Sequence, residues 1–205
     1  IGGETAEMPG VYMDGDIELV GFVVGAVEQD KVLTGGDVAL GDVLLGIPSS
    51  GLHTNGYSLV RQIFSIDEKP NTLKEFYPDL EMTLGEALLI PHRCYYPLLN
   101  PVLGSIKAMA HITGGGLIEN IPRVLPPGLG ASIKTQSWEN PPLFRIIQDK
   151  GKVSTYEMHR VFNMGVGMVL MVANENVALV QSKIPESWIL GEVVAVTNGC
   201  RVSLN

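Results

Sequence analysis

Three glycine-bearing clusters contain most of the residues in this sequence that could do chemistry. Each lies at one end of a predicted strand, where α/β proteins usually gather ligand-binding loops. Small residues there let backbone N–H groups approach an anion, and hydroxyl groups add further donors, so phosphate is the expected ligand. The clusters are Ser49-Ser50-Gly51-Leu52-His53-Thr54-Asn55-Gly56, His111-Ile112-Thr113-Gly114-Gly115-Gly116 and Phe162-Asn163-Met164-Gly165-Val166-Gly167.

The first cluster allows two interpretations. It is either a phosphate-binding loop ahead of the positive end of a helix, or a tight strand-to-helix turn in which Asn55 caps the helix. His53 could donate to a phosphate or to a developing oxyanion, because imidazole has an ordinary pKa of about 6.5 and either protonation state is accessible.

The triple glycine after His111 is equally open to two explanations. Three consecutive glycines are costly unless the backbone turns sharply or approaches something closely. Either a ligand or tight packing of a helix against the sheet would explain them. The other two histidines, His92 and His159, fall in segments predicted to be helical or at the surface, and we interpret both as structural.

An acidic pair near the start, Glu4 and Glu7, flanks Thr5. Carboxylate oxygens suit a magnesium ion held between protein and nucleotide phosphates, although a solvated acidic helix start would show the same pattern. The sequence contains no P-loop, no dinucleotide fingerprint and no zinc motif. Its two cysteines have no paired spacing, which is typical of a protein of the reducing cytoplasm.

Composition narrows the class of partner. The 205 residues include 14 Lys and Arg against 22 Asp and Glu, a net charge of −8, which disfavours nucleic acid and anionic membranes as partners. No apolar run reaches the roughly 18 residues of a membrane span. A small-molecule ligand held by local groups is therefore the expected partner.

Hydrophobic periodicity supplies the elements that position these clusters. Strands are predicted over 17–27, 43–47, 107–112, 130–133, 166–172, 190–196 and 201–204. Helices are predicted from Tyr57 and Leu117 and over 84–90, 95–103, 143–148, 156–161 and 174–183, the last capped by Asn174. The predicted fold class is α/β, a layered mixed β-sheet with flanking helices.

Taken together, the motifs resemble the phosphoribosylformylglycinamidine cyclo-ligase family, also called aminoimidazole ribonucleotide synthetases. The similarity extends over essentially all 205 residues, with departures at Met164, where the family often has Cys, and at His92, where it often has Thr. It is carried by Gly2-Gly3-Glu4-Thr5-Ala6-Glu7-Met8-Pro9, Ser49 to Arg61, His111 to Gly116 with Glu119 to Pro126, and Phe162 to Met168.

The resemblance implies a particular domain organisation. Residues 1–31 would be the tail of a truncated amino-terminal nucleotide-binding domain, and residues 38–205 the carboxyl-terminal α/β domain. Full-length members would pair into homodimers through the amino-terminal domain, so we expect this fragment to be inactive alone.

The implied activity is that of a cytoplasmic, ATP- and Mg²⁺-dependent ligase of purine biosynthesis. It would close the imidazole ring of formylglycinamidine ribonucleotide to give aminoimidazole ribonucleotide. The alternatives are another ATP-using member of the same superfamily, similar to selenophosphate synthetase or to a kinase, and a non-catalytic phosphate-binding module.

The resemblance also suggests a role for each candidate residue. Ser49, Ser50, Gly51 and Asn55 would hold the substrate phosphate or ribose, with His53 a catalytic donor near the transferred group. Thr113, Gly114 and Gly115 would line the substrate cleft between domains. Glu4 and Thr5 would lie near the ATP phosphates, and Glu4 and Glu7 near Mg²⁺.

Overall fold

The computed structural model describes residues 21, 23–196 and 199–205 of the chain. The chain divides into two units, Ile1–Val32 and Leu33–Asn205. In the first unit, residues 21 and 23–28 have no regular structure and precede a short 3-10 turn, Gln29–Lys31. Among these described residues the strand predicted over 17–27 is wrong: Val23 is 91% exposed. A β-branched run forms a strand only where a neighbour supplies its hydrogen bonds, and no described residue pairs with it. The rest of that prediction lies outside the described residues.

The second unit is built on one six-stranded sheet, with a separate two-stranded hairpin. The strands are β1 (Val43–Pro48), β2 (Phe76–Tyr77), β3 (Met82–Thr83), β4 (Ala108–His111), β5 (Leu129–Ile133), β6 (Val166–Val172), β7 (Trp188–Ala195) and β8 (Val202–Leu204). The large sheet has the order β4-β6-β1-β7-β5-β8. Its pairs are antiparallel except β5 with β8, which is parallel, so the predicted mixed sheet is confirmed.

Strand β6 explains why helices cover both faces of this sheet. All seven of its residues are buried, as its continuous apolar run predicts. Val169 and Met171 pack into the core on one face, whereas Leu170 and Val172 pack into the core on the other. Because side chains alternate along a strand, a strand apolar at every position needs cover on both sides.

The helices are mostly short. They are α1 (Tyr57–Phe64), α2 (Leu84–Leu88), α3 (Tyr96–Leu99), α4 (Gly116–Asn120), α5 (Pro142–Gly151), α6 (Thr155–Val161) and α7 (Val177–Lys183). Thr83 and Glu86 form a reciprocal capping box at the start of α2. The Ser154 hydroxyl accepts the Glu157 N–H at the start of α6.

Two predicted helices are shorter than expected. Helix α3 gives way to a 3-10 segment, Asn100–Ser105, because Pro101 has no N–H to continue an α-helix. Helix α7 begins only at Val177, after the 3-10 turn Asn174–Asn176, and no side chain caps either element. The predicted Asn174 cap is therefore wrong.

A third apolar cluster lies beneath α1, α2, α5 and α6, with Val60, Phe144 and Phe162 at its centre. It supports the loop that follows β1. Among the described residues, no helix has the length and apolar character needed to cross a membrane.

Candidate functional site

The first loop, residues 49–56, leaves β1 beside the entry to β6, because Pro48 pairs with Val166 across the two strands. The Ser49 N–H donates to the Gly165 carbonyl at 2.9 Å, which continues the strand pairing by one more bond. The first predicted cluster and the third, around Phe162 to Gly167, are thus neighbours in the fold.

A buried asparagine holds the first loop in place. Asn163 is 2% exposed, and its Oδ1 accepts both the Ser49 hydroxyl at 2.9 Å and the Gly165 N–H at 2.8 Å. Its Nδ2 donates to the Gly51 carbonyl at 2.8 Å. A side chain with every polar atom bonded inside the protein fixes its partners firmly. Asn163 therefore sets the backbone path of the loop.

His53 is the most constrained side chain of the first loop. It is 3% exposed and has a positive φ of 58°, an uncommon conformation for a residue other than glycine. Its Nε2 accepts the Ser50 N–H at 3.1 Å, whereas its Nδ1 is buried without a hydrogen-bond partner among the described residues. Burial, and secondarily the neighbouring His92 and His111, lower the pKa of His53 to about 4. The imidazole is therefore neutral at pH 7, with its proton on Nδ1.

His92, which the sequence did not place at the site, stacks on His53 with ring centroids 3.8 Å apart. Its Nε2 lies 3.1 Å from Nε2 of His111. Desolvation, with His92 as the second cause, also lowers the pKa of His111. No spacing in the sequence signals this cluster, because the three histidines come from separate segments of the chain.

Two long-range hydrogen bonds bring His92 to this position. The Ser50 hydroxyl donates to the Pro91 carbonyl, and the Tyr95 hydroxyl donates to the Pro48 carbonyl, each at 2.8 Å. Burial raises the pKa of Tyr95 to about 12, so it remains a donor throughout the neutral range. The segment that carries His92 is thereby hydrogen-bonded to Pro48, at the end of β1, and to Ser50, in the first loop.

The glycine turn, residues 113–116, follows β4 and is held by a second buried asparagine. Asn120 is 4% exposed, and its Nδ2 donates to the carbonyls of Thr113, Gly114 and Gly116 at 2.9 to 3.2 Å. Its Oδ1 accepts the Thr113 hydroxyl at 3.1 Å.

Gly116 shows that packing accounts for part of the triple glycine. A Cβ at Gly116 would lie 1.9 Å from the His159 carbonyl oxygen, and the residue has a φ of 58°. Gly115 also has a positive φ, of 97°, whereas Gly114 is exposed and has an ordinary φ. Tight packing therefore explains Gly116, and Gly114 stays available to a ligand.

The two predicted phosphate-binding segments meet. A Cβ at Gly114 would lie 3.3 Å from Oδ1 of Asn55. The backbone N–H groups of Gly51, Gly114 and Gly115 have no acceptor among the described residues, so they can donate to a ligand. Ser49, Ser50, Asn55 and Thr113 belong to the same two segments, whereas Glu4, Thr5 and Glu7 lie outside the described residues.

The capping interpretation of Asn55 fails. Helix α1 has Gly56 at its N-cap position, with a φ of 84° and no side-chain capping bond. A Cβ at Gly56 would lie 2.2 Å from the Phe162 ring, so only glycine fits there. The Asn55 side chain is therefore not committed to the helix.

An apolar cavity of about 160 Å³ also adjoins the first loop, but it does not include the histidines or the glycine turn. The cavity is lined by Ser49, Ser50, Gly51, Leu80, Met82, Ala87, Ile90, Pro141, Pro142, Leu143 and Phe144.

Met164, in the third cluster, is buried with a positive φ, and its carbonyl accepts the Trp138 indole N–H at 2.8 Å.

Known structures share this fold at low sequence identity. A thiamine-monophosphate kinase from Stenotrophomonas maltophilia K279a has a TM-score of 0.57 at 12% identity, over 87% of this chain and 54% of that one. A hydrogenase maturation protein, HypE in complex with ATP, has a TM-score of 0.55 at 13% identity, over 87% and 51% of the two chains. At such identities the similarity shows the fold alone.

Sequence comparison gives much closer relatives. Proteins named phosphoribosylformylglycinamidine cyclo-ligase are 52% identical over 200 residues in Geobacillus thermodenitrificans and 50% identical over 199 residues in Caldicellulosiruptor bescii. These alignments cover 95% and 94% of this chain but only 58% of each relative. The sequence model described as "AIR synthase related protein, C-terminal domain" matches residues 39–202. The chain therefore belongs to the AIR synthase-related family, whose carboxyl-terminal domain it carries.

Proposed function

We propose that this domain binds the ribose-phosphate of formylglycinamidine ribonucleotide for ATP-dependent closure of its imidazole ring. The observation that carries the proposal is the contact of the first loop with the glycine turn at Asn55 and Gly114, in two segments where the N–H groups of Gly51, Gly114 and Gly115 have no acceptor among the described residues. Backbone N–H groups gathered at one place form a site for an anion. The names of the relatives supply the identity of the reaction.

The reaction requires alignment more than an activated side chain. ATP phosphorylates the formyl amide oxygen, the neighbouring amidine nitrogen attacks the activated carbon, and phosphate leaves to give aminoimidazole ribonucleotide and ADP. Such phosphoryl chemistry depends chiefly on positioning and on donors directed at developing charge. The two buried asparagines, Asn163 and Asn120, provide the positioning by fixing the loops that would carry these donors.

His53 has a narrower role in this proposal than its residue type alone allows. Its lowered pKa keeps the ring neutral, and the Ser50 N–H occupies Nε2, so the ring retains one donor, Nδ1–H. We therefore assign His53 as a neutral hydrogen-bond donor near the transferred group rather than as a cation that binds phosphate.

The remaining predictions from the resemblance extend to the whole protein. ATP and Mg²⁺ near Glu4, Thr5 and Glu7, a homodimer, a cytoplasmic location and the inactivity of the isolated fragment belong to this proposal. Magnesium would offset phosphate charge, but none of the roles assigned to the described residues depends on it.

Calorimetry tests the proposal with four ligands. We expect the chain to bind formylglycinamidine ribonucleotide and to give no measurable heat with the corresponding nucleoside, which lacks the phosphate. Binding of thiamine monophosphate in preference to the ribonucleotide would favour the kinase-like alternative. If inorganic phosphate binds as tightly as the ribonucleotide, the domain is a general anion-binding module and the proposal fails.

A matched pair of variants locates the site. Gly114→Asp places a negative charge at the proposed phosphate position and should weaken ribonucleotide binding by at least about 10-fold. Gly104→Asp is the control, because Gly104 is also exposed, has an ordinary φ and has no atom within 4 Å of its Cβ position. Equal weakening by both variants would contradict the assignment of the phosphate to the glycine turn.

A further inference from the structure

We propose that His53, His92 and His111 together hold one divalent transition-metal ion of the zinc class. One ring nitrogen from each histidine lies within 4.8 Å of those from the other two. The proposed ring-closure reaction gives these three residues no such role, and the inference rests on their geometry alone.

The pair His92 and His111 already has the spacing of metal ligands. Their Nε2 atoms are 3.1 Å apart. With zinc–nitrogen bonds of about 2.0–2.1 Å, this separation corresponds to an angle of about 100° at the metal, close to that of a tetrahedral site. Both residues are exposed, so an ion can enter from solvent and water can fill its open positions.

His53 supplies the third nitrogen and closes the site from the buried side. Its ring is nearly parallel to that of His92, with an interplanar angle of 13°. A metal lies close to the plane of each imidazole that binds it, so one of the stacked rings must tilt. The His92 ring is exposed, so it can tilt by giving up its stacking on His53. Nε2 of His53 accepts the Ser50 N–H in this structure, so binding a metal through Nε2 has to displace that hydrogen bond. The other ring nitrogen, Nδ1, lacks an acceptor among the described residues, and such an acceptor is the usual support of a metal-bound histidine. We therefore expect His92 and His111 to contribute most of the affinity.

The donor set determines the class of ion. Imidazole nitrogens bind zinc, cobalt, nickel and copper, whereas magnesium and calcium require oxygen ligands. The nearest cationic side chain on the same segment, Arg93, is paired with Glu186, so its charge is compensated. The cluster therefore presents three nitrogens without an uncompensated arginine beside them.

Titration calorimetry of the chain without an affinity tag tests this inference, with zinc chloride as the titrant. We expect one zinc ion per chain, bound with the same heat when magnesium chloride is already present. His92→Asn and His111→Asn should each weaken zinc binding at least about 10-fold, because even loss of a supporting residue around a metal site costs 10- to 100-fold. Both side chains are exposed, so the variants should fold.

Cys94→Ser is the matched control, because Cys94 is exposed, lies two residues from His92 and is itself a possible zinc ligand. Its zinc affinity should equal that of the parent chain, and cobalt bound to the parent should show no sulfur-to-metal charge-transfer band. Loss of binding in Cys94→Ser would overturn the inference, as would unchanged binding in both histidine variants.

Long-range proton–nitrogen spectra of the imidazole rings give an independent readout, since the chain has only 4 histidines. Zinc should change the signals of His53, His92 and His111 and leave those of His159, which is buried with its Nδ1 bonded to the Thr155 carbonyl. A response confined to His159, or no response in any ring, would contradict the proposed site.

Discussion

The first loop and the glycine turn are each held by a buried asparagine, but the two asparagines differ in how far along the chain they lie from the groups that they bind. Asn120 lies four to seven residues from the groups that it binds in the glycine turn. Asn163 lies 112 and 114 residues from its partners in the first loop, Gly51 and Ser49. The glycine turn is held by an asparagine of its own segment, whereas the first loop is held by an asparagine that precedes the neighbouring strand β6.

Because of this difference, the two loops need different parts of the fold to be in place before they can form. The glycine turn takes its side-chain hydrogen bonds from Asn120 in its own segment, although Gly116 also packs on the His159 backbone and β4 pairs with β6. The first loop needs β1 and β6 to be paired, since Asn163 lies just before β6. Contacts between distant parts of a chain form only when the fold closes, whereas local contacts do not have to wait. The site therefore depends on the whole domain through its first loop.

The largest effect should come from breaking the glycine turn at its most crowded position. Gly116→Ala combines a positive φ with a clash against backbone atoms that have no room to move, so we expect a loss of about 3–5 kcal/mol in the free energy of unfolding. Urea denaturation measures it. Gly114→Ala is the control and should cost less than about 1 kcal/mol, because its Cβ would meet only the Asn55 side chain.

The two asparagines should differ in where their loss is felt. Asn163→Ala leaves the Ser49 hydroxyl, the Gly165 N–H and the Gly51 carbonyl without their partner, at a cost of about 2–4 kcal/mol. Asn120→Ala should cost a similar amount.

Amide hydrogen exchange distinguishes the two variants. Asn163→Ala should speed exchange in residues 49–51 and 163–165 together, whereas Asn120→Ala should speed it only in residues 113–116. Faster exchange of the first loop in Asn120→Ala would show that the two loops are not held separately.

The pH dependence of stability, measured with a chelator present, should report on His53. Because its pKa is about 4 in the folded protein and about 6.5 when unfolded, the unfolded state binds the extra proton between these values. Stability should therefore fall by about 2–3 kcal/mol as the pH drops from 6.5 to 4. Below pH 4 the loss from His53 should be complete, and the protonation of His53 should cause no further fall. His53→Gln should flatten that part of the curve. An unchanged slope in the variant would mean that another group is responsible.

The smallest effect should come from Asn55. Because Gly56, not Asn55, occupies the N-cap of α1, Asn55→Ala should change the free energy of unfolding by less than about 0.5 kcal/mol, whereas loss of a true cap typically costs about 1 kcal/mol. Thermal denaturation separates the two cases.

Sequence periodicity was sufficient for the elements whose pattern is decided locally. The continuous apolar run of β6 predicts both the strand and its cover on two faces, as found. Helix ends were less predictable, because the change to a 3-10 segment after α3 depends on how Pro101 is accommodated. The exposed run around Val23 shows the limit of β-propensity, since strand formation depends on a pairing partner that no local pattern specifies.

The site was predictable in its loops but not in its supports. Glycine, serine and histidine types mark the first loop and the glycine turn in the sequence. Asn163 holds the first loop through contacts between segments that are far apart in the chain. The same is true of His92, which is placed at the site by the hydrogen bonds of Ser50 and Tyr95. Residue types alone carry no record of such contacts.

The most direct measurement is an amide proton–nitrogen titration of the chain with ribose 5-phosphate. The N–H signals of Gly51, Gly114 and Gly115 should shift together along one saturation curve, while that of Gly104 stays unchanged. Shifts confined to one loop, or shifts elsewhere in the domain with these three amides unaffected, would contradict a phosphate site shared between the first loop and the glycine turn.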